Sequence, residues 1–464
     1  MMTALTAGQV WGRDKPRLSV IGLGKLGSPM AAVFATKGFE VVGVDLNRHF
    51  VDALNEGRAP VDEPQLQQYI DSGRARLRAT VDMADAILAT DITFIIVPTP
   101  SNSLGLFSNR FVINAVRAIG EALRKKNGYH IVVVTSTVMP GSTGGEIRAA
   151  LEAASGREVG PELGLCYNPE FIALGTVVRD MLHPDFLLIG ESDEKAGTLL
   201  CDVYRDSINV TPVYRRMNFV NAELSKISVN TFVTTKISYA NMLGELCDRL
   251  PGADANVVTE AIGSDSRIGM KYIRPAIGYG GPCFPRDNKA FAALGRKLGV
   301  VCDLAEATDK VNHRQVQRVL DVIGLFHDST ADVAVLGLSY KPATPVVEES
   351  QGVAVSLGLA DAGYSVTVFD PQALAAGLAV LGDKVIPAES LAAAVATVDV
   401  VVVMTPWPDF AALDAAMLGH RPVLVVDPWR IIDPARIGPQ ATLINPGVAP
   451  RSGRRTPAMP QMAQ

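Results

Sequence analysis

Short aliphatic runs alternate with helix-like segments along the first part of the chain and predict a parallel sheet. The run at 17–21 leads into a glycine turn at 22–27, a helical segment follows, and a second strand is predicted at 40–47. Further strands are predicted at 91–100 and 130–141, and both end in small polar residues. Strands that alternate with helices are typical of a doubly wound α/β domain, which binds ligands at its strand ends.

The C-terminal part of the chain repeats this order of elements. Its strands are predicted within four runs that match the N-terminal ones in order and approximate spacing: 332–342, 364–371, 399–407 and 422–430. The glycine fingerprint is not repeated. We therefore predict a second doubly wound α/β domain that binds a different nucleotide.

A helical stretch separates the two parts. Residues 218–250 carry apolar side chains at helical spacing and contain neither Pro nor Gly before Gly244. This pattern predicts a long central helix that also supplies an oligomer interface. The predicted fold class is α/β, with two doubly wound Rossmann-like domains joined by the long central helix and a small helical domain. The predicted segments are an N-terminal domain at 1–215, a central helical domain at 216–325, a C-terminal α/β domain at 326–448 and a disordered tail at 449–464.

Composition narrows the class of protein. Of 464 residues, 48% are hydrophobic and 20% are charged, and the net charge of −5 gives no basic surface for nucleic acid. No apolar run approaches the roughly 20 residues of a membrane span, and residues 1–15 lack the apolar segment of a signal peptide. Five cysteines without a disulfide or metal pattern predict a cytoplasmic protein with reduced thiols and no metal.

The glycine turn has the spacing of a dinucleotide site, with Gly22, Gly24 and Gly27. These glycines let the backbone turn tightly and approach a pyrophosphate, which the helix N-terminus stabilises. Asp45 ends the second strand, where a carboxylate binds ribose hydroxyls and repels a 2′-phosphate, so NAD is favoured over NADP. Other candidate cofactor contacts lie within the turn and at the polar strand ends: Lys25, Leu26, Pro98, Thr99, Ser136 and Thr137.

Cys283 lies in the unusual stretch "GYGGPCFPRDN" at 278–288. Pro285 suits the first turn of a helix, so Cys283 is predicted at a helix N-terminus, where its thiolate is stabilised. The preceding glycines let a ligand approach the backbone, and Asp287 is placed to orient a proton or a water. The alternative is a buried structural cysteine, which does not explain the glycines, the proline and the helix start together.

Three further polar residues are candidates for chemistry. Lys226 and Asn230 lie one turn apart on the central helix and share a face. Apolar neighbours favour a cleft in which the ammonium group stabilises negative charge, and a solvated stripe is the alternative. Glu170 follows the turn after a strand at 163–167, where a carboxylate is either a helix N-terminal acid or a general base.

In order and spacing, these motifs resemble those of the nucleotide-sugar 6-dehydrogenases, and most closely the UDP-glucose 6-dehydrogenase type. The resemblance covers nearly the whole chain. It is carried by "GLGKLG" at 22–27, "VDEP" at 61–64, "VPTP" at 97–100, "STV" at 136–138, "NPEF" at 168–171, Lys226 with Asn230, "RIG" at 267–269, "GYGGPCFPRD" at 278–287 and "GLSYKP" at 337–342.

The resemblance implies a four-electron oxidation of a sugar C6 hydroxymethyl group to a carboxylate, with two NAD consumed. It implies that Lys226, Asp287 and a water near Thr137 manage the proton of the first step. Cys283 then adds to the aldehyde and carries a thioester. By position, Glu170 is the base for hydrolysis of that thioester.

The resemblance also implies a UDP-hexose substrate and its contacts. Lys226 and Asn230 would stabilise the oxyanions of both tetrahedral stages. In the family, the arginine at the position of Arg267 reaches the neighbouring subunit, so a homodimer is expected. The implied substrate contacts are Glu170, Phe171, Lys226, Asn230, Arg267, Tyr272, Arg274, Gly278, Tyr279, Gly280, Tyr340 and Lys341.

Three positions depart from the family pattern. Leu174 stands where many members have a glutamate near the cofactor, and Glu348 stands where a cofactor-facing arginine is usual. Trp429 replaces an arginine, although Arg430 is adjacent and is placed to substitute for it. The departures indicate an active enzyme with altered cofactor affinity or a different hexose; a nucleotide-sugar binder with impaired turnover is the alternative.

The remaining alternatives concern the substrate and the enzyme class. "CFPRD" at 283–287 resembles glucose-type members more than N-acetylhexosamine types, which favours UDP-glucose. UDP-galactose, UDP-N-acetylmannosamine and GDP-mannose remain open. The two-electron β-hydroxyacid dehydrogenases share the fingerprint and the Lys-x-x-x-Asn helix, but they need no cysteine and have no second α/β domain. Cys283 and the strand series from 332 to 430 argue against that class.

Overall fold

Short, buried aliphatic segments form the first sheet. The computed structural model describes residues 6–449, and within them the first sheet has eight strands. They are β1 Leu18–Ile21, β2 Val41–Val44, β3 Leu77–Thr80, β4 Ile92–Ile95, β5 His130–Val134, β6 Leu163–Tyr167, β7 Phe186–Glu191 and β8 Val213–Met217.

The strand order of this sheet is β3-β2-β1-β4-β5-β6-β7-β8, and only the β6–β7 pair is antiparallel. Leu18 lies opposite Val41 on one side and Ile92 on the other, which fixes the register of the centre. Neighbouring residues of β1 enter different cores, Val20 on one face and Ile21 on the other. Because both faces are covered, the central strands β1, β4 and β5 are buried throughout and mostly apolar, as in other parallel sheets.

Some of the helices that accompany the first sheet begin at polar caps. Asn47, Asp82 and Asp193 each accept hydrogen bonds from backbone N–H groups in the first turn of the following helix. These helices are α1 Ala7–Trp11, α2 Gly27–Thr36, α3 Arg48–Glu56, α4 Leu66–Gly73, α5 Met83–Ala89, α6 Arg110–Leu123, α7 Arg148–Ser155, α8 Val177–Leu182 and α9 Glu194–Ser207. A 3-10 turn at Arg74–Arg76 and a π-helical turn at Thr143–Ile147 complete this part.

The predicted central helix is present as α10 Phe219–Cys247, slightly shorter than the predicted stretch. Gly244 lies inside this helix and does not interrupt it. A β-carbon there would lie 3.3 Å from the Arg318 guanidinium group, so the glycine makes room for that side chain. The chain divides into two compact units between Ser228 and Val229, inside this helix.

The second unit contains six strands among the described residues, and they form one parallel sheet. The strands are β9 Asp332–Leu336, β10 Ser365–Phe369, β11 Ile386–Pro387, β12 Val400–Val403, β13 Leu424–Val426 and β14 Thr442–Ile444. Its helices are α11 Ala255–Gly263, α12 Phe284–Leu298, α13 Asp303–Gly324, α14 Gln351–Asp361, α15 Leu374–Leu381, α16 Leu391–Val395 and α17 Pro434–Ile437, with 3-10 turns at Gly382–Lys384 and Pro408–Ala412.

The order of the second sheet, β11-β10-β9-β12-β13-β14, reproduces the order of the first six strands of the first sheet. Both sheets therefore run outward in two directions from their first strand, as doubly wound domains do. The α/β fold class with two Rossmann-like sheets is confirmed. The predicted tail falls almost wholly at 450–464, outside the described residues.

The G-x-G-x-x-G spacing is not repeated in the second sheet, but two of its glycines, Gly337 and Gly352, make the same contact there as Gly22 and Gly27. A β-carbon on Gly27 would lie 1.7 Å from the carbonyl oxygen of Gly22, and one on Gly352 would lie 2.0 Å from that of Gly337. Gly22 and Gly337 both have positive φ, 96° and 103°. Five positions separate the first pair and fifteen the second, so the repeat is hidden by ten additional residues. We call residues 340–349 the inserted segment.

The last described residues return to the helical middle of the second unit, and we call residues 445–449 the return segment. The N–H of Ala255 donates to the carbonyl of Gly447 (2.8 Å), and the N–H of Ala449 donates to that of Ala253 (3.1 Å). The second sheet and the helices that precede it are thus parts of one folded unit.

Candidate active site

The first turn provides an open approach for a dinucleotide. A β-carbon on Gly22 would lie 2.2 Å from the carbonyl oxygen of Ile96, so this glycine is required by the turn itself. A β-carbon on Gly24 would meet no atom within 4 Å, so nothing in the protein fills the space above it. Asp45 is partly exposed, and its Oδ2 accepts a hydrogen bond from Leu23 N (2.7 Å). These features fit the pyrophosphate and ribose of NAD.

The other predicted cofactor residues surround this turn or lie at the strand ends. Lys25 is exposed, and Leu26 immediately precedes α2. The Thr99 hydroxyl donates to the carbonyl of Thr137 (2.7 Å), and the Ser136 hydroxyl accepts from Val97 N (2.9 Å). The side chains of Thr99 and Ser136 therefore fix the ends of β4 and β5. Pro98 is exposed and Thr137 partly exposed, so these two present surface beside the turn.

Glu170 follows β6 in the first unit and is partly buried. Its Oε1 accepts a hydrogen bond from the Tyr204 hydroxyl (3.4 Å), and that hydroxyl also donates to the Asn168 side chain. Burial raises the pKa of Glu170 to about 7, although the nearby Lys226 charge and the Tyr204 hydrogen bond lower it. A carboxyl group that titrates near neutral pH is suited to proton transfer.

Lys226 extends from α10 toward the same segment. Its Nζ donates to the backbone carbonyl of Glu170 (2.5 Å) and lies 4.4 Å from the centre of the Phe171 ring. Lys226 is 7% exposed, so it does not lie on a solvated stripe of the helix. One turn earlier on the helix, Glu223 is fully buried and accepts hydrogen bonds from Gly141 N (2.6 Å) and Thr143 N (2.7 Å).

Glu63, of the "VDEP" motif, is a second buried carboxylate that supports this segment. It accepts hydrogen bonds from Gly175 N and Val177 N, both at 2.8 Å, at the start of α8. It therefore fixes the chain that follows Glu170. The sequence placed Glu63 in a family motif but did not show its structural role. Nothing in the sequence singled out Glu223 except its position one turn before Lys226.

Cys283 immediately precedes α12, as predicted, and Pro285 lies in the first turn of that helix. The thiol is exposed, whereas Cys166, Cys201 and Cys247 are buried. Cys302 is partly buried. An exposed thiol at a helix N-terminus is the arrangement in which a thiolate is stabilised.

Asp287 and Asn230 form a buried pair near the start of this helix. The Asn230 side-chain amide donates to Oδ2 of Asp287 (2.6 Å), and the Arg286 guanidinium group donates to Oδ1 (2.9 Å). Asp287 is fully buried. Both carboxylate oxygens are therefore held in place, which orients Asp287 and Asn230 together.

Residues 278–283 end at the predicted nucleophile Cys283, and we call them the nucleophile loop. Two of its glycines are needed for a reason that the sequence did not suggest. A β-carbon on Gly278 would lie 2.6 Å from side-chain oxygens of Asn312 and Gln351. A β-carbon on Gly280 would lie 2.3 Å from the carbonyl oxygen of Glu349. These glycines allow the loop to pack closely against other parts of the protein. The sequence analysis had explained them only as leaving room for a ligand.

Tyr279 is also buried and makes hydrogen bonds within the protein. It is 5% exposed, and its hydroxyl donates to Asp309 (2.6 Å). Its backbone N–H donates to the Asn312 side chain (2.7 Å), whose amide donates back to the Tyr279 carbonyl (3.0 Å). The side chain of Tyr279 therefore anchors the loop to α13.

The remaining predicted substrate residues lie nearer the surface of the second unit. Arg267 is exposed and pairs with Asp265 (2.5 Å), and Arg274 and Tyr272 are exposed as well. Tyr272 has a φ of 64°, which is unusual for a residue with a side chain. Tyr340 and Lys341 are partly buried at the start of the inserted segment.

The three departures from the family pattern have distinct surroundings. Leu174 packs against the first hydrophobic core, and Glu348 is exposed in the inserted segment. The Trp429 indole N–H donates to the carbonyl of Met404 (3.1 Å). Arg430, which was expected to substitute for the arginine missing at position 429, forms an ion pair with Asp254 (2.7 Å).

The predicted site residues thus fall into two groups. Glu170, Lys226 and the first turn belong to the first unit, and Cys283, Asp287 and their neighbours belong to the second. Within residues 6–449, no cluster of three or more His, Cys, Asp or Glu side chains is arranged to bind a metal. No helix in that range combines the length and apolar character needed to cross a membrane.

Comparison with known protein families gives three consecutive matches. Residues 16–208 match the NAD binding domain of the UDP-glucose/GDP-mannose dehydrogenase family, residues 220–314 match its central domain, and residues 334–434 match its UDP binding domain. Together these matches account for most of the chain.

Individual relatives are similar over nearly the same length. UDP-glucose 6-dehydrogenase AglM of Haloferax volcanii is 38% identical over 419 residues, which cover 89% of this chain and 97% of that protein. GDP-mannose 6-dehydrogenase of Pseudomonas syringae is 34% identical over 358 residues, covering 76% of this chain and 80% of that protein. A solved UDP-glucose dehydrogenase from Pyrobaculum islandicum has a TM-score of 0.86 at 36% identity, covering 95% of this chain and 99% of its own.

Proposed function

Because the chain belongs to the UDP-glucose/GDP-mannose dehydrogenase family, we propose that it oxidises the C6 hydroxymethyl group of UDP-glucose to the carboxylate of UDP-glucuronate. The match of residues 334–434 to the UDP binding domain supports a uridine nucleotide. The 38% identity to a UDP-glucose 6-dehydrogenase supports glucose as the hexose. The balanced reaction consumes one water and two NAD, and it releases two NADH and three protons with the carboxylate.

Bound NAD accepts the hydride that leaves C6 in each of the two oxidation steps. In the first step, the hydroxyl proton passes through a water near Thr137 to the Asp287 carboxylate while the Lys226 ammonium group stabilises the developing alkoxide, and loss of the hydride then gives the aldehyde. The thiolate of Cys283 then adds to the aldehyde carbon and forms a thiohemiacetal. After the second oxidation the sugar is held as a thioester on Cys283.

Hydrolysis releases the product and restores the thiolate. Glu170, with its pKa near 7, takes a proton from the attacking water, and the thiolate of Cys283 leaves the tetrahedral carbon. Lys226 and Asn230 stabilise the negative oxygen at the tetrahedral stages. Deprotonated Glu170 is required for this step.

The observation that carries this proposal is the placement of Cys283. Its thiol is exposed directly before α12, and Asn230 with Asp287 forms a fixed polar pair in the same unit. A two-electron dehydrogenase needs no such cysteine. The thiol is what turns an alcohol oxidation into an acid-forming reaction.

Stoichiometry tests the proposal directly. Purified protein with limiting UDP-glucose and excess NAD is expected to release two NADH per sugar and to form UDP-glucuronate. A yield of one NADH would contradict the thioester mechanism. Turnover of GDP-mannose in preference to UDP-glucose would overturn the substrate, and no turnover with a panel of UDP- and GDP-sugars would support the nucleotide-sugar binder.

A cysteine pair separates chemistry from structure. Cys283→Ser is expected to abolish uronate formation while UDP-glucose binding, measured by calorimetry, changes little. Cys302→Ser is the matched control, because Cys302 lies on the other side of α12 in sequence and takes no part in the mechanism. Uronate formation by Cys283→Ser at the wild-type rate would leave Cys283 with only a structural role.

We further propose that the enzyme is a homodimer formed through α10. Phe232, Tyr239 and Leu246 recur every seven residues, so they form one face of the helix. They are 67%, 46% and 53% exposed, which is unusual for large apolar side chains on one line. Phe232→Glu with Leu246→Glu is expected to give a monomer by light scattering, whereas Leu298→Glu, at an exposed apolar site elsewhere, should not.

Complementation tests whether Arg267 acts in the neighbouring subunit. Arg267→Ala and Cys283→Ser are each expected to be inactive. Mixed and re-associated, they should recover roughly a quarter of wild-type activity, because half of the dimers are mixed and one of their two sites has both residues. No recovery in verified mixed dimers would mean that Arg267 acts within its own subunit.

We also propose that the enzyme acts in the cytoplasm. The five cysteines, none of which forms a disulfide, support a reducing compartment. Such a compartment also keeps Cys283 available as a thiolate. Loss of activity on oxidation and its return with dithiothreitol would support this location, and activity that requires a disulfide would contradict it.

A further inference from the structure

The inserted segment of the second sheet lies directly against the nucleophile loop. The N–H of Gly281 donates to the carbonyl of Glu348 (3.0 Å). A β-carbon on Gly280 would lie 2.3 Å from the carbonyl oxygen of Glu349, and one on Gly281 would lie 2.5 Å from the Tyr340 ring. Both ends of the inserted segment therefore contact the two glycines that precede Pro282 and Cys283.

The conformation of Glu349 is what brings its carbonyl to Gly280. Glu349 has a φ of 50°, a left-handed conformation that costs free energy in a residue with a side chain. Its carboxylate pairs with Lys289 Nζ (3.1 Å), on the helix that begins after Cys283. Both side chains of that pair are about half exposed, so the pair adds little and the backbone contact carries the interaction.

The other side of the loop is held independently. Asn312 of α13 makes two hydrogen bonds with the backbone of Tyr279. With α13 on one side and the inserted segment on the other, the loop has little freedom to move. The start of α12, and with it Cys283, is set by these two supports.

We propose that Glu349 is a positioning residue for Cys283: its left-handed backbone holds Gly280 and Gly281 so that the thiol lies at the start of α12. The inference rests on the proposed role of Cys283 as the nucleophile. It assigns a function to the ten residues that distinguish the second turn from the first. Glu349 acts through the loop and does not itself take part in the reaction.

Alkylation of Cys283 tests the proposal without turnover. In a Cys302→Ser background, the rate of reaction with iodoacetamide is followed by mass spectrometry across pH. Glu349→Val places a β-branched side chain at a left-handed φ that such residues rarely adopt, so the backbone at 349 should shift; we expect alkylation at pH 7 to slow about fivefold and the midpoint of its pH profile to rise, because the thiolate loses its alignment with the helix N-terminus. Loss of the negative charge alone would move the midpoint the other way.

Two control variants separate the backbone contact from the ion pair. Glu349→Gln and Lys289→Gln both remove the ion pair but keep the side chain at 349, and we expect alkylation rates within about twofold of the wild-type rate. If Glu349→Gln slows alkylation as much as Glu349→Val does, the ion pair and not the backbone positions the loop, and the proposal is overturned.

A double variant tests the contact between Gly280 and Glu349. Gly280→Ala should slow alkylation, because its β-carbon displaces the Glu349 carbonyl. Glu349→Val should slow alkylation little further in the double variant, since the carbonyl has then already been displaced. In turnover with UDP-glucose, Glu349→Val should lower kcat about tenfold and leave KM within twofold.

Independent effects in the double variant, together with an unchanged alkylation profile for Glu349→Val, would overturn the positioning role. This outcome is distinct from failure of the proposed function, which would show as no NADH release by the wild-type protein. The alkylation profile can be measured in either case.

Discussion

The two sheets share one strand order, yet the carboxylate after the second strand of each has a different environment. Asp45 follows β2 and Asp370 follows β10, and each accepts a hydrogen bond from the residue after the first turn glycine, Leu23 or Leu338. Asp45 is partly exposed. Asp370 is 2% exposed.

The donors around Asp370 explain the difference. Its two oxygens accept from the backbone N–H groups of four residues, from the Ser339 hydroxyl and from the Trp407 indole N–H (3.2 Å). Trp407 is itself buried, so it closes the position where a ribose would reach this carboxylate. The first turn is built for a ligand, whereas the second uses the same carboxylate to hold itself together.

Buried carboxylates of the two units differ in the same sense. Asp370 has six hydrogen-bond donors, whereas Glu170 has the Tyr204 hydroxyl at 3.4 Å and a raised pKa. Six donors hold the Asp370 side chain in place, whereas Glu170 has one long hydrogen bond and a pKa near 7, so it can exchange a proton near neutral pH. The comparison contrasts a structural carboxylate with the proposed general base, and five experiments can break or sharpen it.

The largest effect is expected at Glu170. Glu170→Gln should lower uronate formation by a factor on the order of 10²–10⁴, the usual contribution of a general base. In the wild-type enzyme, thioester hydrolysis should rise with pH through about 7, because ionised Glu170 is the active form. Single-turnover measurements across pH check both. A pH profile with the same limb in Glu170→Gln would show that another group is the base.

The same variant should be more stable than the wild type at pH 8. The folded pKa of Glu170 lies above its usual 4.5, so this carboxyl contributes stability below about pH 4.5, and that contribution is lost as pH rises through 7. Glutamine removes the loss. The Tm of Glu170→Gln should therefore exceed that of the wild type most at pH 8 and little at pH 5. The same difference in Tm at both pH values would contradict the raised pKa of Glu170.

The paired variants Asp45→Asn and Asp370→Asn test the comparison itself. Asp370→Asn places an amide among six donors and should lower the free energy of unfolding by about 3 kcal/mol. Asp45→Asn should change stability little but raise KM for NAD roughly tenfold, because a charged hydrogen bond to the ribose contributes about 1.5 kcal/mol. Urea titration and steady-state kinetics measure the two effects. Equal losses of stability would remove the distinction between the turns.

Gly24→Ala probes the open side of the first turn. A methyl group there meets no protein atom, so stability should stay close to the wild-type value. Its approach to the pyrophosphate should raise KM for NAD about tenfold, a cost of roughly 1.4 kcal/mol. Gly22→Ala is the control, because its β-carbon would collide with Ile96 and should unfold the domain. An unchanged KM in Gly24→Ala would show that the cofactor does not approach this glycine.

The smallest effect is expected from Trp407→Phe. Phenylalanine keeps most of the packing but removes one donor from Asp370, so the free energy of unfolding should fall by about 1 kcal/mol. KM for NAD should not change, because Trp407 contacts Asp370 beside the second turn and not the first turn. A change in KM for NAD would mean that the second turn contributes to the cofactor site.

The fold was predictable because its central strands are covered on both faces. The predicted strands include the central ones, β1, β4, β9 and β12, whose residues are almost all buried. Edge strands were missed since they alternate with polar residues or are very short. Examples are Val213–Met217, with exposed charged side chains, and Ile386–Pro387.

The site was predictable where residue types have local consequences. Pro285 and Cys283 follow helix-start rules, and Asp45 follows the strand end. The glycine repeat at Gly337 and Gly352 was missed because the inserted segment separates the two glycines in sequence while folding brings them together. The hydrogen bonds of buried carboxylates such as Glu223 reach residues some 80 positions away and leave no local pattern.

The return segment also bears on how the protein is synthesised. Residues 445–449 pair with residues 253–255, so nearly two hundred residues must be added before the helical middle of the second unit meets its partner. At about 5–20 residues per second, that interval lasts roughly ten seconds or more. The first unit, complete at Ser228, can fold during translation, whereas residues 253–255 meet their partners only after residues 445–449 have been added. A nascent chain therefore acquires its dinucleotide fold well before the second unit, which carries Cys283, has all of these contacts.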